Sequence, residues 1–154
     1  MPKEIERKFL VTSNAYKAGI TPVLIQQGFI STEKDRVVRV RVKGDKAFLT
    51  IKNAGIGISR NEYEYPIPQE DAKELLEGFC LQPLLEKYRY IVEYEGHTWE
   101  VDEFLGENEG LVVAEIELRS EDDPFRKPDW LGNEVTRDER YYNANLVDHP
   151  YNIW

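Results

Sequence analysis

The sequence predicts a mainly β (α+β) protein: a closed, eight-stranded antiparallel β-barrel with a few peripheral helices. Eight segments alternate apolar and charged side chains with the two-residue period of a β-strand. One internal segment instead repeats apolar residues with the spacing of an amphipathic helix. Eight antiparallel strands are enough to close a barrel whose interior holds side chains or one small ligand.

The composition indicates a single globular domain over residues 1–154. Hydrophobic residues make up 41% and aromatic residues 12% of the chain, which is enough apolar material for one core. The formal net charge of −9 argues against non-specific nucleic-acid binding, because that binding needs a dominant basic surface. The state of assembly stays open between a monomer and a homodimer.

The chain has the features expected of a cytoplasmic protein without a membrane partner. No apolar run reaches membrane-spanning length, and no basic start followed by an apolar stretch predicts a signal peptide. The single Cys80 excludes an intrachain disulfide, which fits a reducing compartment. Two histidines and one cysteine are also too few for a zinc site of the usual nitrogen and sulfur kind.

Short turns and connectors separate the predicted strands. The strands cover residues 4–11, 23–31, 36–43, 47–52, 60–65, 85–95, 98–104 and 111–119. Residues 12–22 predict a connector with room for a short helical turn. The glycine-containing loop over 53–59 lacks the Gly-Lys-Ser/Thr ending of a P-loop and predicts a flexible hairpin connection.

Helices are predicted at two places outside the strands. Ala72, Leu75, Leu76 and Phe79 recur at i, i+3, i+4 and i+7, which predicts a helix packed on the core. Near the C-terminus, the run 136–139 (Thr-Arg-Asp-Glu) predicts a capping box that starts a final short helix. Both segments supply apolar surface that could cover the outside of a barrel.

The first strand shows the chemistry in its simplest form. In an extended strand Glu4, Glu6 and Lys8 point to one face, while Ile5 and Phe9 point to the other. Two carboxylates about 7 Å apart repel each other unless a cation lies beside them. Acids that hold a metal, followed by a base that holds phosphate, are the parts needed to bind a metal–polyphosphate. For this strand taken alone, a solvated charged face is the alternative.

The same pattern of charged residues on one strand face recurs along the chain, and it predicts that the charged faces line the barrel interior. Like-charged doublets occur on several strands, although neighbouring like charges destabilise a solvated sheet face. Burying so many unpaired charges away from water would cost too much free energy. A water-filled tunnel that binds divalent cations and a polyanion would provide partners for both the acidic and the basic side chains. The residues gathered on this face are Lys8, Arg39, Arg41, Lys52, Arg60, Lys87 and Arg89, with Glu4, Glu6, Glu62, Glu64, Glu100, Asp102, Glu115 and Glu117.

This ordered set of residues resembles the CYTH superfamily, whose members are also called triphosphate tunnel metalloenzymes. The resemblance begins at Glu4-Ile5-Glu6-Arg7-Lys8 and extends over nearly the whole chain. It continues through Val38-Arg39-Val40-Arg41, Thr50-Ile51-Lys52, Ser59-Arg60-Asn61-Glu62-Tyr63-Glu64, Lys87-Tyr88-Arg89, Val101-Asp102 and Glu115-Ile116-Glu117. The tail, with residues 130–136, Arg140-Tyr141 and Asn143, is similar to the short single-domain bacterial inorganic triphosphatase branch.

The resemblance implies a divalent-metal-dependent hydrolase that cleaves inorganic tripolyphosphate to pyrophosphate and phosphate. It implies two Mg²⁺ (or Mn²⁺) ions, and oxygen ligands suit such hard cations. The metal ligands that it implies are Glu4, Glu6, Glu64, Asp102, Glu115 and Glu117, with Glu62 as a further candidate. The triphosphate would be bound by Lys8, Arg39, Arg41, Lys52, Arg60, Lys87 and Arg89, of which Lys8, Lys52, Lys87 and Arg89 are the candidate catalytic residues. For Arg60 and Glu62, pairing with each other or with neighbours is an equal alternative.

Several points stay open at the level of sequence. A nucleoside or thiamine triphosphatase, a class IV-type adenylate cyclase or a non-catalytic polyphosphate-binding module would share the same tunnel, and the general base is unassigned. Bacterial triphosphatases of this branch often carry Gln-Gly-Tyr where this chain has Gln27-Gly28-Phe29, so any role of that hydroxyl is absent here. Arg137 and Arg140 give the tail positive charge that could face a polyanion, either in a mobile lid or in a static cap.

Overall fold

A computed structural model of the protein describes residues 3–53 and 59–154, and strands dominate it. The strands are β1 (Lys3–Val11), β2 (Val23–Glu33), β3 (Arg36–Lys43), β4 (Lys46–Lys52), β5 (Ser59–Ile67), β6 (Leu85–Tyr94), β7 (His97–Phe104), β8 (Val112–Glu117) and β9 (Leu131–Glu134). The α-helices are α1 (Gln69–Gly78) and α2 (Asn143–Asp148). Short 3₁₀ turns cover Ala15–Lys17, Gly106–Asn108, Glu139–Tyr141 and Tyr151–Ile153.

Eight of these strands close into an antiparallel barrel. Their order is β1-β5-β4-β3-β2-β6-β7-β8, and β8 pairs again with β1. The two edges of β1 complete the ring, because Glu4 pairs with Arg60 of β5 and Lys8 pairs with Glu115 of β8. The predicted closed eight-stranded barrel is therefore confirmed. β9 is an additional strand that the alternation pattern did not predict, and it pairs with β1 through Phe9.

The strands alternate their side chains between the barrel interior and its outer surface. Arg39 and Thr50 are cross-strand neighbours, both are buried, and Arg39 donates a hydrogen bond to the Thr50 hydroxyl inside the barrel. Val40, the next residue along β3, points outward and is buried beneath α1 with Leu76. Much of the apolar core therefore lies outside the barrel, and the polar side chains lie within it.

An aromatic cluster covers the outer face of β1, β7 and β8. It includes Phe9, Trp99, Ile116 and Trp130, all of which are buried. The rings of Phe9 and Trp99 pack edge to face with their centres 5.7 Å apart, and Trp130 packs on Trp99 at 5.8 Å. Trp130 directly precedes β9, so the segment that ends in this strand shields that side of the barrel from water.

α1 covers the outer face of β3 and β4. Its buried residues Ala72 and Leu76 pack on Val40 and Ala47. The predicted helix is confirmed, but the assignment of Phe79 to the core is wrong. Phe79 follows the last residue of the helix and is 67% exposed.

The C-terminal segment packs into one end of the barrel. Leu146 and Val147 of α2 are buried in a cluster with Phe29, Leu85 and Phe104, which face inward from β2, β6 and β7. Because apolar side chains fill this end, the charged part of the interior is bounded by the tail as well as by strands.

The predicted capping box over 136–139 is wrong, because the final helix begins only at Asn143. Thr136 instead accepts a hydrogen bond with its Oγ1 from the backbone N–H of Lys8, at 3.0 Å. Asp138 caps a 3₁₀ turn by accepting from the backbone N–H of Arg140. The hydroxyl that matches a cap in sequence therefore fastens the tail to β1.

Three other expectations concern the connections. The helical turn predicted within 12–22 is confirmed at Ala15–Lys17. β5 continues through Pro66 to Ile67, although the sequence predicted its end before the proline. Of the hairpin connection predicted over 53–59, residues 54–58 lie outside the described residues. Within the described ranges, no helix has the length and apolar character needed to cross a membrane.

Candidate active site

The barrel interior contains a cavity of about 610 Å³ with a mostly charged lining. Among the described residues, ten Lys and Arg residues and eight Glu residues line it, whereas the whole chain has 20 basic and 29 acidic residues. The cavity thus has a basic excess although the chain is acidic. The basic residues are Lys8, Lys34, Arg39, Arg41, Lys43, Lys52, Arg60, Lys87, Arg89 and Arg137. The acidic residues are Glu4, Glu6, Glu62, Glu64, Glu100, Glu115, Glu117 and Glu139.

The two signs of charge occupy opposite halves of the barrel. We define the basic half as the neighbouring strands β4, β3, β2 and β6, which contribute Arg39, Arg41, Lys43, Lys52, Lys87 and Arg89 to the lining. We define the acidic half as β7, β8, β1 and β5, which contribute Glu4, Glu6, Glu62, Glu64, Glu100, Glu115 and Glu117, together with Lys8 and Arg60. A bound polyanion therefore meets a basic wall on one side and a wall that attracts cations on the other.

Arg39 and Arg41 place two guanidinium groups side by side in the basic half. They lie 3.7 Å and 3.3 Å from the same carboxylate oxygen of Glu64. Burial, and then the charge of Arg39, lowers the pKa of Arg41 to about 10. Among the described residues, the buried Nε–H groups of Arg39, Arg41 and Arg60 have no hydrogen-bond partner.

Lys52 adds a compact positive charge at the boundary between the two halves. It pairs across the sheet with Glu62 of β5. Burial, and then the charge of Arg39, lowers the pKa of Lys52 to about 8, while Glu6 and Glu4 partly oppose this shift. A buried ammonium group in this state gains strongly from an incoming negative charge.

Asp102 lies behind the basic wall and holds two of its cations. It accepts hydrogen bonds from Nε and Nη2 of Arg89, at 2.8 Å and 2.9 Å, and lies 2.9 Å from Nζ of Lys87. Burial alone raises the pKa of the Asp102 carboxyl, but the charges of Lys87 and Arg89 outweigh it and hold the pKa well below its usual range. Asp102 therefore stays ionised as the counter-charge that orients both cations.

The carboxyl groups of the acidic half crowd one another. Burial, together with a hydrogen bond to Glu62, raises the pKa of Glu4 to about 7. Burial and the charge of Glu4 raise the pKa of Glu6. Burial and the charge of Glu6 raise the pKa of Glu115. Carboxyl groups that raise one another's pKa in this way mark a place where a divalent cation would compete with protons.

The donor chemistry of the acidic half fits Mg²⁺ or Mn²⁺, because every candidate ligand there is a carboxylate oxygen. In the part of the chain that the structure describes, no group of three or more His, Cys, Asp or Glu is already gathered to hold a metal ion. Neighbouring acids are instead linked in a chain, Glu62 with Glu4, Glu4 with Glu6, and Glu6 with Glu115. A cation would have to draw these carboxyl groups closer together.

The residues just before α2 bring the tail into the site. The ring of Tyr142 contacts two cations, with its centre 5.6 Å from Nζ of Lys8 and 5.8 Å from Cζ of Arg60. Lys8 also lies 3.7 Å from Glu115 and donates to the carbonyl oxygen of Tyr141 at 3.1 Å. The tail therefore helps to hold Lys8 and Arg60, the two basic residues that line the acidic half, in place.

Comparison with known proteins identifies the family. A model of the CYTH domain matches residues 2–151. The chain belongs to the CYTH family. It is 59% identical over 151 residues to an inorganic triphosphatase of Acetivibrio thermocellus, and the match covers 98% of this chain and 97% of that protein. An inorganic triphosphatase of Nitrosomonas europaea is 38% identical over 149 residues, covering 94% of this chain and 96% of that protein. The crystal structure of an inorganic triphosphatase superposes with a TM-score of 0.68 at 34% identity, covering 96% of this chain and 95% of that one.

In this CYTH domain, each site residue predicted from sequence lines the cavity except Asp102. Their roles as metal or phosphate ligands stay predictions. Asp102 lies against Lys87 and Arg89, and Glu100 of the same strand lines the cavity. Phe29 stands where related chains often have tyrosine and is 1% exposed. It lines the cavity and also packs in the apolar cluster with Leu146 and Val147 of α2.

Sequence reasoning placed Arg137 and Arg140 of the CYTH domain's tail where they could face a polyanion, but it missed three further tail residues that line the cavity, Glu139, Tyr142 and Asn143. Arg137 lines the cavity as expected, but the expectation that Arg140 faces a polyanion is wrong. Arg140 pairs with Asp138 at 2.8 Å and stacks 4.9 Å from the ring centre of Trp154. No periodic pattern marks these positions, because the tail is neither a strand nor a continuous helix.

Proposed function

We propose that this CYTH protein hydrolyses inorganic tripolyphosphate to pyrophosphate and phosphate in a divalent-metal-dependent reaction. The observation that carries the proposal is the division of one cavity into a basic half and an acidic half. A polyphosphate with bound divalent cations complements both halves at once. The relatives that are inorganic triphosphatases, at 59% and 38% identity, support this substrate class.

In this proposal the basic half binds the triphosphate chain. Arg39 and Arg41 line the cavity and present guanidinium forks that suit bidentate contacts with phosphate oxygens. The candidate catalytic residues Lys8, Lys52, Lys87 and Arg89 would hold the chain in line for displacement and offset the negative charge that develops in the transition state. Arg60 would add a further phosphate contact beside Tyr142.

We assign metal binding to the acidic half, with two Mg²⁺ (or Mn²⁺) ions. The proposed ligands are Glu4, Glu6, Glu62, Glu64, Glu115 and Glu117. When bound, such ions neutralise phosphate charge and lower the pKa of an attacking water. For Asp102 we propose a positioning role toward Lys87 and Arg89 in place of direct metal contact, because both of its oxygens already accept from these cations.

We further propose that residues 1–154 act as one cytoplasmic domain with a small-molecule triphosphate as its partner. The family match over residues 2–151 and the docking of the tail on the barrel support one domain. The single Cys80, which has no possible intrachain partner, supports a reducing compartment.

Phosphate release from tripolyphosphate, ATP and thiamine triphosphate, each with and without Mg²⁺, tests the proposal. We expect the fastest release from tripolyphosphate, and we expect excess EDTA to stop it. Faster release from ATP or thiamine triphosphate would reassign the substrate, and cyclic nucleotide formed from ATP would make the protein a cyclase. Binding of tripolyphosphate without release at any metal concentration would make it a polyphosphate-binding module.

A further inference from the structure

The tail makes direct polar contacts with two of the proposed triphosphate-binding lysines. Asn143, the first residue of α2, accepts a hydrogen bond with Oδ1 from Nζ of Lys87 at 2.8 Å. The same oxygen accepts from Nε2 of Gln27 at 2.9 Å. Two residues earlier, the carbonyl oxygen of Tyr141 accepts from Nζ of Lys8 at 3.1 Å. The amines of a lysine from β1 and a lysine from β6 thus both donate to the same short stretch of tail.

The contacts of Lys87 define the direction of its ammonium group. An ammonium group has three N–H donors. One is directed at Asp102 at 2.9 Å and one at Asn143 at 2.8 Å, so among the contacts of the described residues one N–H is left for the cavity that Lys87 lines. The amide oxygen of Asn143 is uncharged, so it fixes the amine without adding a second counter-charge beside Asp102.

We propose that Asn143 is a positioning residue that aims the Lys87 ammonium group at the bound triphosphate, so that the C-terminal helix completes the active site. This inference rests on the proposed function. Docking of the helix does not by itself require the contact, because Leu146 and Val147 bury the helix in an apolar cluster. The bond from Gln27 would also suffice as a polar link between the tail and the barrel. Only the bond to Lys87 holds a side chain that we propose to bind the triphosphate.

Two shape-conserving variants separate positioning from mere attachment. Asn143→Leu removes both hydrogen bonds, whereas Gln27→Leu removes only the bond between the tail and β2 and leaves the Lys87–Asn143 pair intact. Asn143→Leu should lose more thermal stability than Gln27→Leu, because it removes two buried hydrogen bonds and Gln27→Leu removes one. With tripolyphosphate and Mg²⁺, Asn143→Leu should lower kcat on the order of 10- to 100-fold with little change in KM, because misdirecting a reacting group by about 1 Å costs about this much. Gln27→Leu should keep kcat within about threefold.

Rescue by a conservative change supplies a second readout. Asn143→Asp keeps an acceptor oxygen for Lys87, so it should recover most of kcat, and its added negative charge should appear mainly in KM. If Asn143→Leu fails to fold, Asn143→Ala takes its place. Asn152→Ala, on the exposed last turn, is the control variant and should keep the wild-type kcat.

The outcomes are distinct from those for the proposed function. Equal kcat losses in Asn143→Leu and Gln27→Leu, or an Asn143→Asp variant as slow as Asn143→Leu, would overturn the positioning role while the wild-type activity stands. A wild-type protein that releases no phosphate from tripolyphosphate would instead overturn the function itself.

Discussion

We expect the metal-free protein to be least stable near neutral pH. The pKa of Glu4 is raised from 4.5 to about 7 by burial and by the hydrogen bond with Glu62. Between these values the folded chain holds a proton that the unfolded chain has lost, so stability falls as the pH rises through this window. Lys52 acts in the opposite direction at higher pH. Burial lowers its pKa from 10.5 to about 8, so stability rises again between these two values.

The size of the effect follows from the differences between the folded and unfolded pKa values. A pKa that differs by 1 between the folded and unfolded chain corresponds to about 1.4 kcal/mol. Glu4 alone therefore lowers the free energy of unfolding by about 3 kcal/mol as the pH rises from its unfolded pKa to its folded pKa. Lys52 restores about 3 kcal/mol at higher pH. Most proteins are instead most stable between about pH 5 and 8, so a minimum near pH 7 to 8 distinguishes this chain.

Urea denaturation in the presence of EDTA, from about pH 5 to 9.5, measures this profile. Glu4→Gln removes the titrating carboxyl at nearly constant shape, so the fall toward neutral pH should shrink by about 3 kcal/mol. Glu77→Gln, on the exposed face of α1, is the matched control and should keep the wild-type slope. Mg²⁺ should raise the minimum, because it competes with protons for the carboxylates. A flat profile, or a maximum at neutral pH, would refute the idea that Glu4 and Lys52 are held in one desolvated cavity.

Three further outcomes test other parts of the molecule. Glu117→Gln should slow tripolyphosphate hydrolysis several-hundred-fold, because about 3–4 kcal/mol of electrostatic stabilisation is lost at constant shape; a near-wild-type rate at saturating Mg²⁺ would remove this residue from the site. Amide hydrogen exchange over 143–148 should be slow without ligand, since α2 is buried against the barrel; protection that rises strongly with a non-hydrolysable triphosphate and Mg²⁺ would make the helix a mobile lid. Gly28→Ala should lower stability by about 1–3 kcal/mol because its new Cβ would lie 2.8 Å from the Cβ of Cys80. Gly78→Ala, with nothing within 4 Å, should raise it by up to about 1 kcal/mol, and equal effects of the two changes would contradict this packing.

The barrel was predictable because side-chain alternation has a strict period of two. Once the like-charged doublet of β3 is assigned to the interior, the face of every other residue on that strand follows. The features that sequence reasoning missed depend on distant contacts. Thr136 matches the local sequence pattern of a helix cap, yet its hydroxyl oxygen accepts a hydrogen bond from the backbone N–H of Lys8, which is distant in sequence. β9 has only four residues and forms because the pairing of β1 with β5 ends at Ile5, which leaves an edge for it.

Alternation predicts which face a residue occupies but not its depth or its partner. Glu100 and Asp102 share the inward face of β7, and sequence reasoning selected Asp102 as a metal ligand. The pairing of β6 with β7 sets Arg89 directly opposite Asp102, so this carboxylate is enclosed by cations while Glu100 reaches the cavity. Such a distinction needs the register between strands, which no single strand encodes.

The segregation of charge supports a metal–triphosphate over a bare polyanion. If basic and acidic residues alternated between neighbouring strands, each would find a partner at contact distance, and the interior would be nearly neutral. Instead Arg39 and Arg41 share the Glu64 carboxylate, and burial together with neighbouring carboxyl groups raises the pKa of Glu4 and of Glu6. An anion alone would relieve the basic half and leave the repulsion between carboxylates in place. A ligand that brings its own divalent cations relieves both halves, so a metal-bound triphosphate complements this cavity better than a bare polyanion does.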